Sequence, residues 1–254
     1  MVASSYAHPD RPMPRFKPFT AMSRMRRLIA NKEDTEQVFH IIEALNGKNV
    51  LHLLDSFLET EKGQARLEER RKLAPVLDDH SWIEPLAEDS VGQAYLRFMR
   101  REGLSAQGLV EESEKFFRNH YDDTVEWFGN RLRDTHDLFH VLTGYGRDAL
   151  GEAALLGFTY GQHKGNGLIF ISYMGCRQIR KSMPREIDVM ACFHEGLRHG
   201  KAASPIIQED MVELMKLPLA EVRERLNIAK PEAYQRAIAQ ISQLGNAQEL
   251  LAAA

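Results

Sequence analysis

The chain reads as an all-α protein, a single multi-helix domain with a metal site on a helix–Gly-turn–helix unit. Apolar residues recur at helical spacing through most of its length, whereas alternating apolar–polar runs of strand type are scarce. The 254 residues, 43% hydrophobic and 27% charged, suffice for one large core and show no linker, repeat or low-complexity tract. The expected division is an extended or disordered arm over 1–19 and a single domain over 20–254.

Taken in order, Pro9, Pro12, Pro14 and Pro18 make the arm a poor helix. Seven cationic residues and one acid, Asp10, precede Glu33, a faint likeness to a mitochondrial transit peptide that the prolines oppose. Residues 21–30 form a short basic amphipathic stretch, a capping or interface helix with a membrane-surface role as the alternative. Asp34 with Gln37 opens a helix whose stripe is Val38, Ile41, Ile42 and Leu45, stopped near Gly47. Val91, Ala94, Tyr95 and Phe98 repeat the pattern between Ser90 and Gly103. Leu168–Ser172 is a short, ambiguous strand candidate, and the apolar run 167–176 around it is about half of the ~20 residues a membrane span needs. Ile187, Met190, Ala191, His194 and Leu197 form another helical stripe behind Pro184. Pro218 and Pro231 mark two further helix starts at the first-turn position, the second leading a terminal helix over 232–252 with Ile238, Ile241, Leu244 and Leu251.

Some function classes find no support. A net charge of −3 and no basic stripe interleaved with aromatics give no reason to expect a nucleic-acid partner. Cys176 and Cys192 lie in apolar surroundings without Cys-x-x-Cys spacing and read as reduced core thiols, which suits a reducing compartment.

Chemistry concentrates between Arg133 and Glu152. His136, Asp137 and His140 are followed, after eleven intervening residues, by Glu152. Two imidazoles and two carboxylates at such separations suit a divalent metal; a buried hydrogen-bond network is the competing reading. On one helix His136 and His140 lie about 40° apart, one turn above each other. Glu152 would stand about 18 Å further along a continuous helix, so it joins them only if the chain turns back. Gly144-Tyr145-Gly146 supplies the break, and Asp148 an N-cap for a second helix. Arg133 and Asp134 are candidates to orient the ligands, with a surface salt bridge the plain alternative for Arg133.

Other motifs are weaker. His194-Glu195-Gly-Leu-Arg198-His199 lacks the His-x-x-x-His spacing of zinc proteases, because position 198 is Arg. Arg198 and Lys201 present positive charge that could meet an anionic substrate group. Gly151 and Gly157 permit close approach of a helix or of a long apolar chain. The mixed donor set leaves zinc, iron, manganese and cobalt open.

The pattern His136-Asp137-x-x-His140-x11-Glu152 resembles the signature of the coenzyme Q (ubiquinone) biosynthesis protein 4 family. The resemblance takes in residues 131–144 and 150–152, Gly196–Ala203 and Leu219–Ile228, and spans roughly residues 20 to 230. It implies His136, Asp137, His140 and Glu152 as metal ligands and catalytic residues. It also implies metal-dependent oxidative decarboxylation of a polyprenylated hydroxybenzoate-type precursor, the C1 carboxylate giving way to hydroxyl. A non-catalytic polyprenyl-lipid-binding scaffold is the alternative, and a phosphohydrolase suggested by adjacent His136-Asp137 lacks an upstream His and a downstream Asp that can be assigned. The implied partners are the polyprenylated aromatic substrate, other ubiquinone biosynthesis enzymes, a membrane surface and further copies of the chain. The implied place is cytoplasmic and peripheral to the inner membrane in a bacterium, or the matrix side of the mitochondrial inner membrane in a eukaryote. A tail-binding groove is expected between the segments around Gly151–Tyr160 and Leu168–Met174, with Arg133, Gly157, Arg198 and Lys201 as substrate-binding candidates.

Overall fold

The computed structural model describes residues 6–31, 34, 36–116 and 119–244. Among them the helices are α1 (Pro18–Ala30), α2 (Glu36–Asn46), α3 (Asn49–Leu58), α4 (Glu61–Glu69), α5 (Leu73–Asp78) and α6 (His80–Ile83). There follow α7 (Val91–Glu102), α8 (Ala106–Glu114), α9 (Thr124–Asp134), α10 (His136–Thr143) and α11 (Ala149–His163). The chain continues with α12 (Asn166–Ser182), α13 (Val189–Ala202), α14 (Met211–Lys216), α15 (Leu219–Arg225) and α16 (Glu232–Ser242). The described residues hold no named strand, only an isolated antiparallel bridge between Ser90 and Pro218. The protein is all-α, as its periodicity indicates.

Local signals explain most boundaries. Ser90 caps α7 by accepting from Gln93 N, and Gly103 closes it at φ +66. Gln37, in the first turn of α2, donates through its side chain to Asp34 just before the helix (3.0 Å), and Gly47 follows that helix at φ +49. Pro218 and Pro231 stand at the N-caps of α15 and α16, one position before the expected first turn. Leu168–Ser172 lies inside α12, where Ile171, Ser172, Cys176 and Ile179 share a buried helical face. That face outruns the short apolar segment, which is why the segment alone was ambiguous. The last helix ends at Ser242, so Leu244, expected on it, lies two residues beyond, and Leu251 lies outside the described residues.

Pro18 occupies the first turn of α1, so the helix takes in the last two residues of the expected arm. Residues 6–17 precede it without α-helix, and they make defined contacts. His8 N donates to Asp123 Oδ2 (2.8 Å), Arg11 Nε pairs with the same carboxylate (2.6 Å), and the Arg11 guanidinium lies 4.4 Å from the Tyr121 ring centre.

The principal core brings together α7, α10, α11, α13 and α16, with Phe139, Leu142, Leu150, Ala154 and Phe158 among its buried side chains. Its backbone is the crossing of α11 on α13. A Cβ added at Gly196 would stand 2.0 Å from the Ala154 carbonyl oxygen, and one at Gly200 would stand 2.0 Å from that of Phe158. From the other side a Cβ at Gly157 would meet the Phe193 carbonyl oxygen at 2.9 Å. Glycines let the two backbones touch, so the room at Gly157 is filled by a helix and not by a ligand tail. The walls expected for a tail groove also meet each other, since Ser172 Oγ donates to the Ala153 carbonyl (2.7 Å). Cys176 and Cys192 are buried free thiols, each pushed up to about 12 chiefly by burial.

Gly196→Ala should therefore lower unfolding free energy by about 1–3 kcal/mol although alanine is the better helix former. Gly175→Ala is the control: an added Cβ meets nothing within 4 Å in the middle of α12. It should stabilise by about 0.5–1 kcal/mol. Urea unfolding of both variants checks the pair, and destabilisation by both would remove the close-approach explanation.

Candidate metal centre

The site begins at a break. Asp134 ends α9, and Thr135 (φ −87, ψ −2) turns the chain before α10 while its Oγ1 donates back to the Arg131 carbonyl (2.9 Å). His136 and Asp137 fall in the first turn of α10 and His140 one turn on. One ligand-capable atom from each of the three lies within 4.8 Å of the others. Donors sitting about 2 Å from one ion approach that spacing.

Glu152 arrives from the first turn of α11. Its Oε1 stands 3.3 Å from His140 Nε2 and its Oε2 3.8 Å from His136 Nε2, so it faces both imidazoles. The return is built by the intervening turn. Gly144 takes φ +79, its N–H donating to the His140 carbonyl (2.8 Å). Asp148 Oδ1 then accepts from Leu150 N and Gly151 N (3.1 Å each) and starts α11. Gly151 has to be glycine, since a Cβ there would lie 2.2 Å from the Gly146 carbonyl oxygen.

His140 is the buried anchor, with a fully inaccessible side chain, whereas His136 and Glu152 are 32% and 31% exposed. The centre therefore has a closed wall and an open edge. His140 Nδ1 lies 3.0 Å from the Tyr145 carbonyl, which can only accept, so Nδ1 carries the hydrogen. Nε2 is thereby turned toward Glu152; it is buried and lacks a partner in hydrogen-bond geometry. The Phe98 ring of α7 stacks on the imidazole (5.4 Å, 23°) and fixes its plane.

The charges are mutually dependent. Burial pulls the His140 pKa down, but the Glu152 carboxylate outweighs it and holds the group above its ordinary value. Burial and the neighbouring His140 push His136 below its usual range. Burial alone would raise Glu152, yet the two imidazoles and Arg147 keep it low.

The structure reassigns several supporting residues. Arg133 does not reach the centre: Nε and Nη2 grip Asp134 Oδ1 (2.8 and 2.7 Å) and Nη1 donates to Ser113 Oγ (2.7 Å). The group orienting His140 is the Tyr145 carbonyl rather than Asp134, whose other oxygen accepts from Ala74 N (3.2 Å). Arg198 and Lys201 are exposed on α13, and Gly157 is a helix-packing position. Glu195, on the same helix, is buried and accepts from Ala233 N (2.6 Å) and Tyr234 N (3.2 Å) at the start of α16. The cation at the open edge is Arg147, whose Nε is 3.9 Å from Glu152 Oε1 and whose side chain is 39% exposed. Its place within the turn between the ligands was the available signal. Tyr95, a turn before Phe98, has a buried hydroxyl with no hydrogen-bond partner, and burial followed by the Asp137 charge opposes its ionisation. In sequence it is one more apolar-stripe residue.

The C-terminal helices brace this turn. Arg223 of α15 donates through Nε to the Leu142 carbonyl (2.8 Å) and through Nη2 to that of Val141 (3.1 Å). Tyr234 of α16 receives Gly146 N–H on its hydroxyl oxygen (3.1 Å) and donates to Asp148 Oδ2. Arg223→Ala should cost about 1.5–3 kcal/mol, the weight of a charged hydrogen-bond donor to otherwise open carbonyls. Thermal or urea unfolding checks it; an unchanged midpoint would show that the brace is idle.

Comparison with known proteins agrees with this architecture. Residues 16–232 match the family described as Coenzyme Q (ubiquinone) biosynthesis protein Coq4. A relative from Aspergillus clavatus, named ubiquinone biosynthesis protein coq4, mitochondrial, is 26% identical over 184 residues, 72% of this chain and 62% of its own length. One of the same name from Paracoccidioides brasiliensis is 25% identical, with 72% and 61% covered. The matched part thus spans under two thirds of these relatives. A crystal structure from Nostoc punctiforme, described as a candidate ubiquinone biosynthesis protein, shares the fold at a TM-score of 0.65 and 20% identity, covering 85% of this chain and all of that one. The chain belongs to the Coenzyme Q (ubiquinone) biosynthesis protein Coq4 family.

Proposed function

We propose that the protein acts in ubiquinone biosynthesis and that its α10–α11 centre binds a divalent metal for oxidative decarboxylation of a polyprenylated hydroxybenzoate-type ring. The observation that carries this reading is His140 Nε2: buried, bare of hydrogen in the neutral tautomer that the Tyr145 contact sets, and facing Glu152 Oε1 at 3.3 Å outside hydrogen-bond geometry. Such an atom is costly unless something completes it, and an imidazole donating its other N–H to a carbonyl is the usual bearing of a metal ligand. The donor set fits: His136, His140, Asp137 and Glu152 offer two nitrogens and two carboxylates, a mixture that zinc, iron, manganese or cobalt accepts.

When bound, the metal would polarise the phenol or carboxylate of the ring and stabilise charge as carbon dioxide leaves. The residues of the chain do the rest. His140 stays fixed between Phe98 and the Tyr145 carbonyl, while His136 and Glu152 leave the solvent edge accessible. Arg147 at that edge can receive the substrate carboxylate, whose geometry a guanidinium matches. In the net change the ring–carboxylate bond is replaced by a ring–oxygen bond and carbon dioxide is released; one atom of dioxygen enters the ring, and the other leaves as water with two protons and two electrons from an external two-electron reductant. Other ubiquinone biosynthesis enzymes and further copies of this chain are the proposed partners, with the protein peripheral to the membrane that holds its substrate. No described helix is long and apolar enough to cross that membrane.

His140→Ala and Glu152→Ala should each weaken metal binding by more than about 100-fold, beyond the cost of losing a supporting group, and abolish turnover with helicity retained. Metal analysis, circular dichroism and assay of a polyprenyl hydroxybenzoate under air and under nitrogen test this together. Full activity in both variants would place the chemistry elsewhere.

Protons should also compete with the metal. His140 is held above its ordinary value by Glu152, so below that raised pKa a metal must displace a proton. Affinity should fall about tenfold per pH unit there and level off above it. Calorimetric titration across neutral pH checks the slope; a pH-independent affinity would exclude His140 as a ligand.

A further inference from the structure

Four of the large apolar side chains exposed among the described residues fall in one stretch of ten: Met13 (56%), Phe16 (61%), Phe19 (90%) and Met22 (41%). Phe19, Met22 and Arg26 are spaced i, i+3, i+7 on α1 and share its outer face. Ala21 and Met25 are buried on the opposite side, in a cluster with Ile41 and Ala44 of α2. The outward apolar residues are thus not the ones that hold the helix to the body. Arg15, Lys17, Arg26 and Arg27 are exposed among and beside them. Lys17 has one distant partner, Glu43 at 3.6 Å, and the three arginines pair with no carboxylate among the described residues. No acid occurs between Asp10 and Glu33, although the whole chain carries −3. Positive charge and exposed apolar surface coincide here against the overall balance.

We propose that this edge, from Met13 through the outer face of α1, is the docking surface for an anionic lipid bilayer. The inference deepens the peripheral position proposed above and rests on that reading, but not on the metal chemistry. A helix of 13 residues flanked by the arm would lie in the plane of the interface. Phe16, Phe19 and Met22 enter the boundary between headgroups and acyl chains, and the cations reach the lipid phosphates along their own aliphatic stems. Charge complementarity favours lipid over another protein. A protein interface gathers its apolar side chains into a core depleted of charge, whereas here cations separate them at nearly every step.

The test uses the full chain without added metal, in flotation with phosphatidylcholine vesicles that contain or lack phosphatidylglycerol. The parent protein should float with the anionic vesicles, and less so at high salt. The triple variant Phe16→Ser, Phe19→Ser, Met22→Ser should lose at least about tenfold in partition, the weight of one large apolar side chain kept out of lipid. Arg15→Gln, Arg26→Gln, Arg27→Gln should lose the preference for phosphatidylglycerol. Circular dichroism of each variant confirms folding, which these exposed positions should not disturb. Absence of flotation by the parent, or unchanged flotation by both variants, would overturn the assignment. So would a parent that ignores vesicles and whose dimer, measured by light scattering, dissociates in the apolar variant, because the face would then be a subunit interface. A protein that floats as expected but takes up no metal would leave this surface standing and remove the metal reading alone.

Discussion

The site depends on one constraint: the chain must reverse between His140 and Glu152 tightly enough for a carboxylate to face two imidazoles. Everything about residues 144–151 serves that reversal. Gly144 takes the left-handed backbone, Gly151 admits the Gly146 carbonyl where any side chain would collide, and Asp148 satisfies the first free amides of α11. The same turn points the Tyr145 carbonyl at His140 Nδ1, so the element that delivers one donor also sets the tautomer of another. A looser loop would lose both effects together.

The turn is not self-sufficient. Open carbonyls at the end of α10 are closed by Arg223, and the Gly146–Asp148 stretch is tied to Tyr234, both from helices some eighty residues later in the chain. Glu195 in turn caps the helix that carries Tyr234, and it does so from α13, whose glycines lie against α11. The centre is therefore framed by a closed circuit of helices. Rigidity on its buried side, with exposure confined to His136, Glu152 and Arg147, is what a site needs if a head group is to enter at a fixed orientation.

Much of this was legible in the sequence because it is local. Helical spacing located α2, α7 and α13, the Gly-rich break and Asp148 located the reversal, and the spacing of His136, His140 and Glu152 located the cluster. What failed was long-range. Arg133 looked available to a ligand, but its guanidinium is taken by Asp134 and Ser113, and nothing in the local pattern reveals a partner twenty residues upstream. Gly157 suits a helix or a ligand tail equally by its sequence, and only the packing of α13 against it decides between them. Tyr95 and Phe98 belong to one apolar face by their spacing, but periodicity carries no sign that this face abuts an imidazole.

The central claim is that His140 Nε2 and the Glu152 carboxylate meet through a metal ion. Crystals soaked in cobalt or manganese and measured at the metal absorption edge address it directly. An anomalous peak about 2 Å from His140 Nε2, within bonding distance of Glu152 and at least one of His136 and Asp137, is the result this account predicts. A peak elsewhere, with His140 Nε2 completed by an ordered water or a side chain, would contradict it.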